Sequence, residues 1–175
     1  LSLGDGLRPG AGVDAGEDTI CAIATASGTA AVSMIRMSGA ESHKIALSRF
    51  VRKSKALTIN DITPNRMYYG EFVDTDNRSI DDVMLTFFKA PHSYTGEDSV
   101  EIVCHGSIFI QNKILEILID NGARLAEAGE YTMRAFINGK MDLTQAEAVA
   151  DIISSKNEAE HRVAINQLKG GFSRE

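Results

Sequence analysis

The chain has 175 residues, is 43% hydrophobic and 24% charged, and carries a net charge of −6 with a pI near 5.2. That length suits one domain or one and a half with a sizeable core, and the acidic balance disfavours the chain as the main grip on nucleic acid while leaving room for a local basic pocket. Cys21 and Cys104 are too few for a disulfide framework, which points to a reducing, cytoplasmic setting; the four scattered histidines have no metal-ligand spacing, and no apolar run approaches the roughly 20 residues a bilayer span needs.

The first 17 residues hold five glycines and one proline without periodicity and read as a flexible tail or expression remnant, outside the fold. "DTICAIATA" (18–26) and "AVSMIRMSG" (31–39) are β-permissive, and the "ASGTA" between them is too short for a crossover helix, so they predict a hairpin. Residues 40–51 carry Ile45, Ala46, Phe50 and Val51 at roughly helical spacing. "RMYYGEFVD" (66–74) and "DDVMLTFFKA" (81–90) flank the polar turn "TDNRSI" and predict a second hairpin. "PHSYTGED" (91–98) is a loop by its Pro, Ser and Gly. "SVEIVCHG" (99–106) is a strand, and the following helix carries Ile110, Ile114, Leu115, Ile117 and Leu118 before ending at Asn121-Gly122.

From about residue 129 the pattern is helical to the end, with Ala146, Val149, Ala150 and Ile153 on one face. Thr144 with Glu147 has capping-box spacing, and so has Asp142 with Gln145. A further helix is expected from about Glu158 to Leu168, stopping at Gly170-Gly171. The layout is an antiparallel α+β domain followed by the beginning of an all-α one; two helices cannot close a bundle core alone, so they pack on the first domain or on another chain, or more sequence normally follows.

Gly139-Lys140 before a helix invites a phosphate-loop reading, which fails. The upstream position holds Arg134 instead of Gly, Met141 follows the lysine instead of Ser or Thr, and "YTMRAFI" reads as helix instead of strand. Asn138-Gly139 then ends one helix in a left-handed cap and Asp142 starts the next, leaving Lys140 a solvated link residue on spacing alone. In the strand at 99–106, Val100, Ile102 and Cys104 share one face and Glu101, Val103 and His105 the other, so Cys104 and His105 point apart and cannot act as nucleophile and base. Glu101 is either solvated on an open face or placed to receive donors. Arg36, ending an apolar run, either snorkels to water or meets a carboxylate or phosphate with its planar fork. Together, Arg36, Lys140 and Glu101 would match a ligand with carboxylates at one end and an amino-heterocycle at the other. Their separation along the chain leaves open whether they meet.

"DTICAIATASGTAAVSMIRMSG", "APHSYTGEDSVEIVCHG", "GARLAEAGEYTMRAFINGKMDLTQAEAVADII" and "QLKGGFS" resemble, in order, the N-terminal part of the tRNA-modifying GTPases of the MnmE (TrmE) family. The resemblance implies an antiparallel-sheet tetrahydrofolate-binding domain of the aminomethyltransferase type at 18–137, which also mediates homodimerisation, and the start of a helical domain at 138–175. It implies that a GTPase domain with its GTP, potassium and magnesium sites lies elsewhere in such proteins, with no catalytic residue and no metal site in this chain. The expected cofactor is 5-formyl- or 5,10-methylene-tetrahydrofolate. The expected partners are a second copy, an MnmG-type flavoprotein and the tRNA whose wobble uridine is modified at C5, with no membrane. The family's folate contacts map onto Arg36 in "MIRMSG", Glu101 in "SVEIVCHG" and Lys140 in "INGKMD", with Glu101 receiving the pterin's amino and ring N–H donors. This chain departs from the family pattern at "ASGTAA", Ser107 and Ala128, which bear on the first hairpin loop and the pocket mouth. Two alternatives stand beside this reading. One is a self-sufficient folate-dependent aminomethyltransferase-like enzyme using Asp98 or His105 as acid/base; the other is a ligand-free dimerisation scaffold.

Overall fold

A computed structural model describes residues 18–155 and residue 162. Both predicted hairpins form. β1 (Ile20–Ile23) runs antiparallel to β2 (Val32–Ser38), with Cys21 opposite Met37. After α1 (Ser42–Ser48) and the two-residue β3 (Phe50–Val51), β4 (Met67–Val73) pairs antiparallel with β5 (Ser79–Phe88). Phe50 and Val51, expected to continue a helix, instead pair with Phe72 and Glu71. Their β-preferring side chains and the bare edge of β4 favour the ladder over another helical turn.

β6 (Ser99–His105) inserts between the hairpins, pairing with β2 on one side and β5 on the other. α2 (Ile108–Asp120) begins at Ser107, whose hydroxyl accepts the Ile110 amide, and leads to β7 (Arg124–Leu125). The seven strands stand in the order β3-β4-β5-β6-β2-β1-β7. Among the described residues only the β1–β7 pairing is parallel. The result is a mixed α+β fold.

One face of the sheet is apolar because the strands alternate. Cys21, Ile35, Met37, Val83, Leu85, Phe87, Val100, Ile102 and Cys104 all point to it and are buried. α1 and α2 cover that face with Ile45, Ala46, Ile114, Leu115, Ile117 and Leu118. Each such side chain contributes on the order of 1.5–3 kcal/mol by leaving water. The other face carries Ala22, Arg36, Glu101 and Thr86 side by side across four strands.

α3 (Glu130–Ile137) ends at Asn138, and Gly139 follows with φ of 72°, the left-handed stop expected there. Residues 143–155 form α4. Its start is a reciprocal capping box between Asp142 and Gln145, whose amides bond each other's side chains at 3.0 and 2.7 Å. The box thus sits two residues before the Thr144–Glu147 alternative. The tail at 1–17, the expected helix at 158–168 and the Gly170-Gly171 stop lie outside the described residues, save for residue 162.

Candidate ligand-binding site

β2 and β6 are neighbours, and their register sets Arg36 directly opposite Glu101. Both side chains leave the sheet on the face away from the core. Arg36 Nη2 donates to Glu101 Oε1 at 3.3 Å, with each side chain only about a quarter exposed (27% and 26%). The open choices left by the sequence are resolved together: the arginine meets a carboxylate, and the glutamate receives a donor.

Two tyrosine rings lie over the guanidinium. Its Cζ is 5.4 Å from the centre of the Tyr94 ring and 5.8 Å from that of Tyr131, within the range of a cation–π contact. Tyr94 comes from the loop between β5 and β6, and its hydroxyl shares a 2.9 Å hydrogen bond with Thr132 Oγ1 on α3. Tyr131, also on α3, donates its hydroxyl to the Arg36 carbonyl at 2.7 Å. Burial pushes the Tyr131 phenol well above its ordinary range. A cavity of about 490 Å³ opens beside these groups, lined by Arg36, Asn65, His92, Ser93, Tyr94 and Glu101 among others.

The loop at 91–98 is tied down from several directions. Ser38 Oγ and Thr95 Oγ1 lie 2.7 Å apart, and Glu97 Oε1 accepts from Ser38 Oγ at 3.0 Å. Asn138 donates its side-chain amide to the Thr95 carbonyl at 2.8 Å. Asp98 shapes the same loop: its carboxylate accepts the Ala90 amide at 2.8 Å, and its carbonyl accepts the Gly39 amide and the Ser42 hydroxyl.

Lys140 is exposed and lies outside the cavity lining. Its amide donates to the Ala135 carbonyl, closing α3, and its stem rests against Gly96, where an added Cβ would come within 3.2 Å of Lys140 Cγ. The structure thus brings Arg36 and Glu101 together and leaves Lys140 outside the cavity lining, against Gly96 of the loop that carries Tyr94.

The two acid/base candidates of the self-sufficient enzyme are not poised. Neither lines the cavity, and Asp98 accepts the Ala90 amide through Oδ1 at 2.8 Å. His105 lies four residues beyond Glu101, about 13 Å along the strand, and pairs with Asp81 at 2.7 Å. The thiols of Cys21 and Cys104 are buried on the core face and pushed up to about 11 by desolvation, which disarms them as nucleophiles. The groups present are a carboxylate acceptor, a planar cation and two aromatic faces, with the Lys140 ammonium outside the lining. They suit binding a planar, donor-rich heterocycle that carries an anion, and they supply no nucleophile. Among the described residues no cluster of His, Cys, Asp and Glu could hold a metal ion, and no helix is long and apolar enough to cross a membrane.

Sequence reasoning did not single out Tyr94, Tyr131, Glu97 or the buried Arg134. The Glu130/Arg134 pair at i, i+4 was the available signal for the last.

The family profile described as "GTP-binding protein TrmE N-terminus" matches residues 19–140. The chain is 50% identical to the tRNA modification GTPase MnmE of Porphyromonas gingivalis over 159 residues, covering 91% of this chain and 33% of that protein. It is 52% identical to the protein of the same name from Bacteroides thetaiotaomicron, covering 91% and 34%, and 50% identical to that of Parabacteroides distasonis, covering 90% and 34%. The chain therefore spans about a third of the length of the curated relatives it matches.

Proposed function

Because the chain belongs to the TrmE N-terminal family, we propose that it binds a reduced folate, 5-formyl- or 5,10-methylene-tetrahydrofolate, in the cavity beside Arg36 and Glu101. The observation that carries this reading is the Arg36–Glu101 pair beneath two tyrosine rings, at the edge of a cavity of about 490 Å³. That volume lies within the range of small-molecule sites. The residues fit the group chemically. Glu101 offers the charged acceptor that a pterin's amino and ring N–H donors call for, and a tyrosine face offers stacking area to the planar ring system. Arg36 and the Lys140 ammonium suit folate acceptors and carboxylates. When bound, the folate would supply the one-carbon unit; the role of this chain's residues is to hold and orient it.

The same reading makes residues 18–137 an aminomethyltransferase-like folate and dimerisation domain, 138–175 the beginning of a helical domain, and the second copy a partner. A flavoprotein of the MnmG type, tRNA as substrate and a cytoplasmic setting complete it. No Walker A sequence occurs in these 175 residues. GTP turnover, with its potassium and magnesium, is therefore assigned to the two thirds of the relatives that the chain does not span. The position of Asp98 and His105 outside the cavity lining speaks against a self-sufficient transferase.

Calorimetric titration with 5-formyl-tetrahydrofolate tests the reading. Loss of a charged hydrogen-bonding partner is worth about 1.5–3 kcal/mol, so Glu101→Ala is expected to weaken binding by roughly 10- to 100-fold. Lys140→Ala is expected to weaken it less, with the helices intact by circular dichroism. Wild-type affinity in Glu101→Ala would refute the pterin role of that residue, and absence of binding by the wild type would favour the ligand-free scaffold.

A further inference from the structure

Arg134 is the largest fully buried side chain described, at 1% exposure, and it lies in an ion ladder that binds three parts of the chain. Its Nη1 donates to both carboxylate oxygens of Glu97, at 3.1 and 3.2 Å, and its Nη2 donates to Glu130 at 3.2 Å. Glu130, itself 4% exposed, also accepts a two-pronged contact from Arg124 at 2.8 and 2.6 Å. The ladder therefore runs Arg124–Glu130–Arg134–Glu97, and its last rung lies on the loop that carries Tyr94. Glu97 meets β2 as well, accepting from Ser38 two residues beyond Arg36 on the same face.

A buried ion pair is a poor source of net stability, because desolvation cancels most of the Coulombic gain and apolar replacements often do as well. What it supplies is fixed placement. α3 sends Tyr131 to the Arg36 carbonyl, Thr132 to the Tyr94 hydroxyl and Arg134 to Glu97, and the Asn138 that ends it reaches the Thr95 carbonyl. All four contacts fall on the loop or on Arg36.

We propose that Glu97, held by Arg134, is a positioning residue of the site: it locks the 93–98 loop between β2 and α3 so that the Tyr94 ring stays over Arg36. This rests on the folate reading for its ligand and not for its geometry. The loop's own bonds join residues 89–98 to one another, so its placement against β2 and α3 falls largely to side-chain contacts such as those of Glu97, whereas the facing wall is a strand pair with a full ladder.

Two measurements test it. Without ligand, amide hydrogen exchange is expected to speed up across residues 93–98 in Glu97→Gln while β2 and β6 stay protected; unchanged exchange in the loop overturns the proposal. With 5-formyl-tetrahydrofolate, Glu97→Gln is expected to weaken binding about tenfold, equivalent to ~1.4 kcal/mol. In a Tyr94→Ala background the same substitution is expected to change affinity by less than about twofold, because its effect passes through that ring. An equal loss in both backgrounds, or wild-type affinity in Glu97→Gln, overturns it. Should the wild type give no binding heat, the folate reading fails and the exchange arm still decides the positioning role. Ser38→Ala, which removes one Glu97 partner and keeps Arg134, serves if Glu97→Gln does not fold, with the same expected loosening confined to the loop.

Discussion

Gly96 allows the contact between the pocket loop and the α3–α4 joint to be measured. It sits at φ of +80°, and an added Cβ would lie 2.8 Å from Asn138 Cβ and 3.2 Å from Lys140 Cγ. Gly139 has nearly the same backbone, at φ of +72°, with nothing within 4 Å of an added Cβ. Alanine at either site incurs the left-handed penalty of about 1 kcal/mol. At Gly96 the methyl group must also push Asn138 away from the loop, and the Asn138–Thr95 hydrogen bond, worth about 1 kcal/mol, is lost with that movement. Gly96→Ala is thus expected to cost ~2–3 kcal/mol and Gly139→Ala ~1 kcal/mol. At about 4 °C per kcal/mol for a domain of this size, the melting temperature should fall by about 10 °C in the first and about 4 °C in the second. Thermal melts followed by circular dichroism read the difference. Equal shifts would refute the reasoning, because they would mean that backbone strain alone acts and that the joint does not bear on the loop.

Phe87 is fully buried, with the His43 ring edge-on at 5.3 Å and Tyr68 at 5.9 Å; Phe87→Ala is expected to cost about 3–5 kcal/mol in urea unfolding, and a cost below about 1 kcal/mol would place the core elsewhere. Glu130 supplies a pH dependence. Burial alone would raise its carboxyl, but the Arg124 hydrogen bonds, the Glu127 amide and the two arginine charges hold it below its ordinary 4.5. A carboxyl depressed in the folded state stabilises the protein fully above its unfolded value, and that contribution disappears as pH falls through the lower folded value. Wild type is therefore expected to lose stability more steeply than Glu130→Gln as pH drops below about 4.5. Parallel acid limbs in denaturant midpoints would show that the ladder does not titrate with folding.

The hairpins were legible because turn residues separate runs of β-forming side chains, and the core face of β6 was legible because Val100, Ile102 and Cys104 alternate with Glu101, Val103 and His105. β3 and β7 were not, since two residues cannot display a period of two. The site was half legible. The charges of Arg36 and Glu101 marked them as residues needing an explanation, yet their pairing depends on β6 inserting beside β2 across 65 residues of sequence, which local pattern does not carry. Tyr94 sat in a segment readable only as loop, and Tyr131 in one readable only as helix; their meeting over Arg36 is a product of how α3 is laid against the sheet. Arg134 entered the reading of the sequence only as the wrong residue for a phosphate loop, because its partner Glu97 lies 37 positions away.

The order of the strands has a consequence for how such a site can change. β2 and β6 are interior to the sheet, each paired on both sides, so the wall bearing Arg36 and Glu101 belongs to the part of the fold that opens last. The facing wall is made of the loop that supplies His92, Ser93 and Tyr94. Substitutions at the cavity-facing side chains of that second wall can retune ligand fit at less risk to the scaffold, whereas changes to the first put foldability and recognition at risk together. The two halves of one site are thereby exposed to different tolerances for mutation, one set by the stability of the sheet and the other chiefly by the ligand.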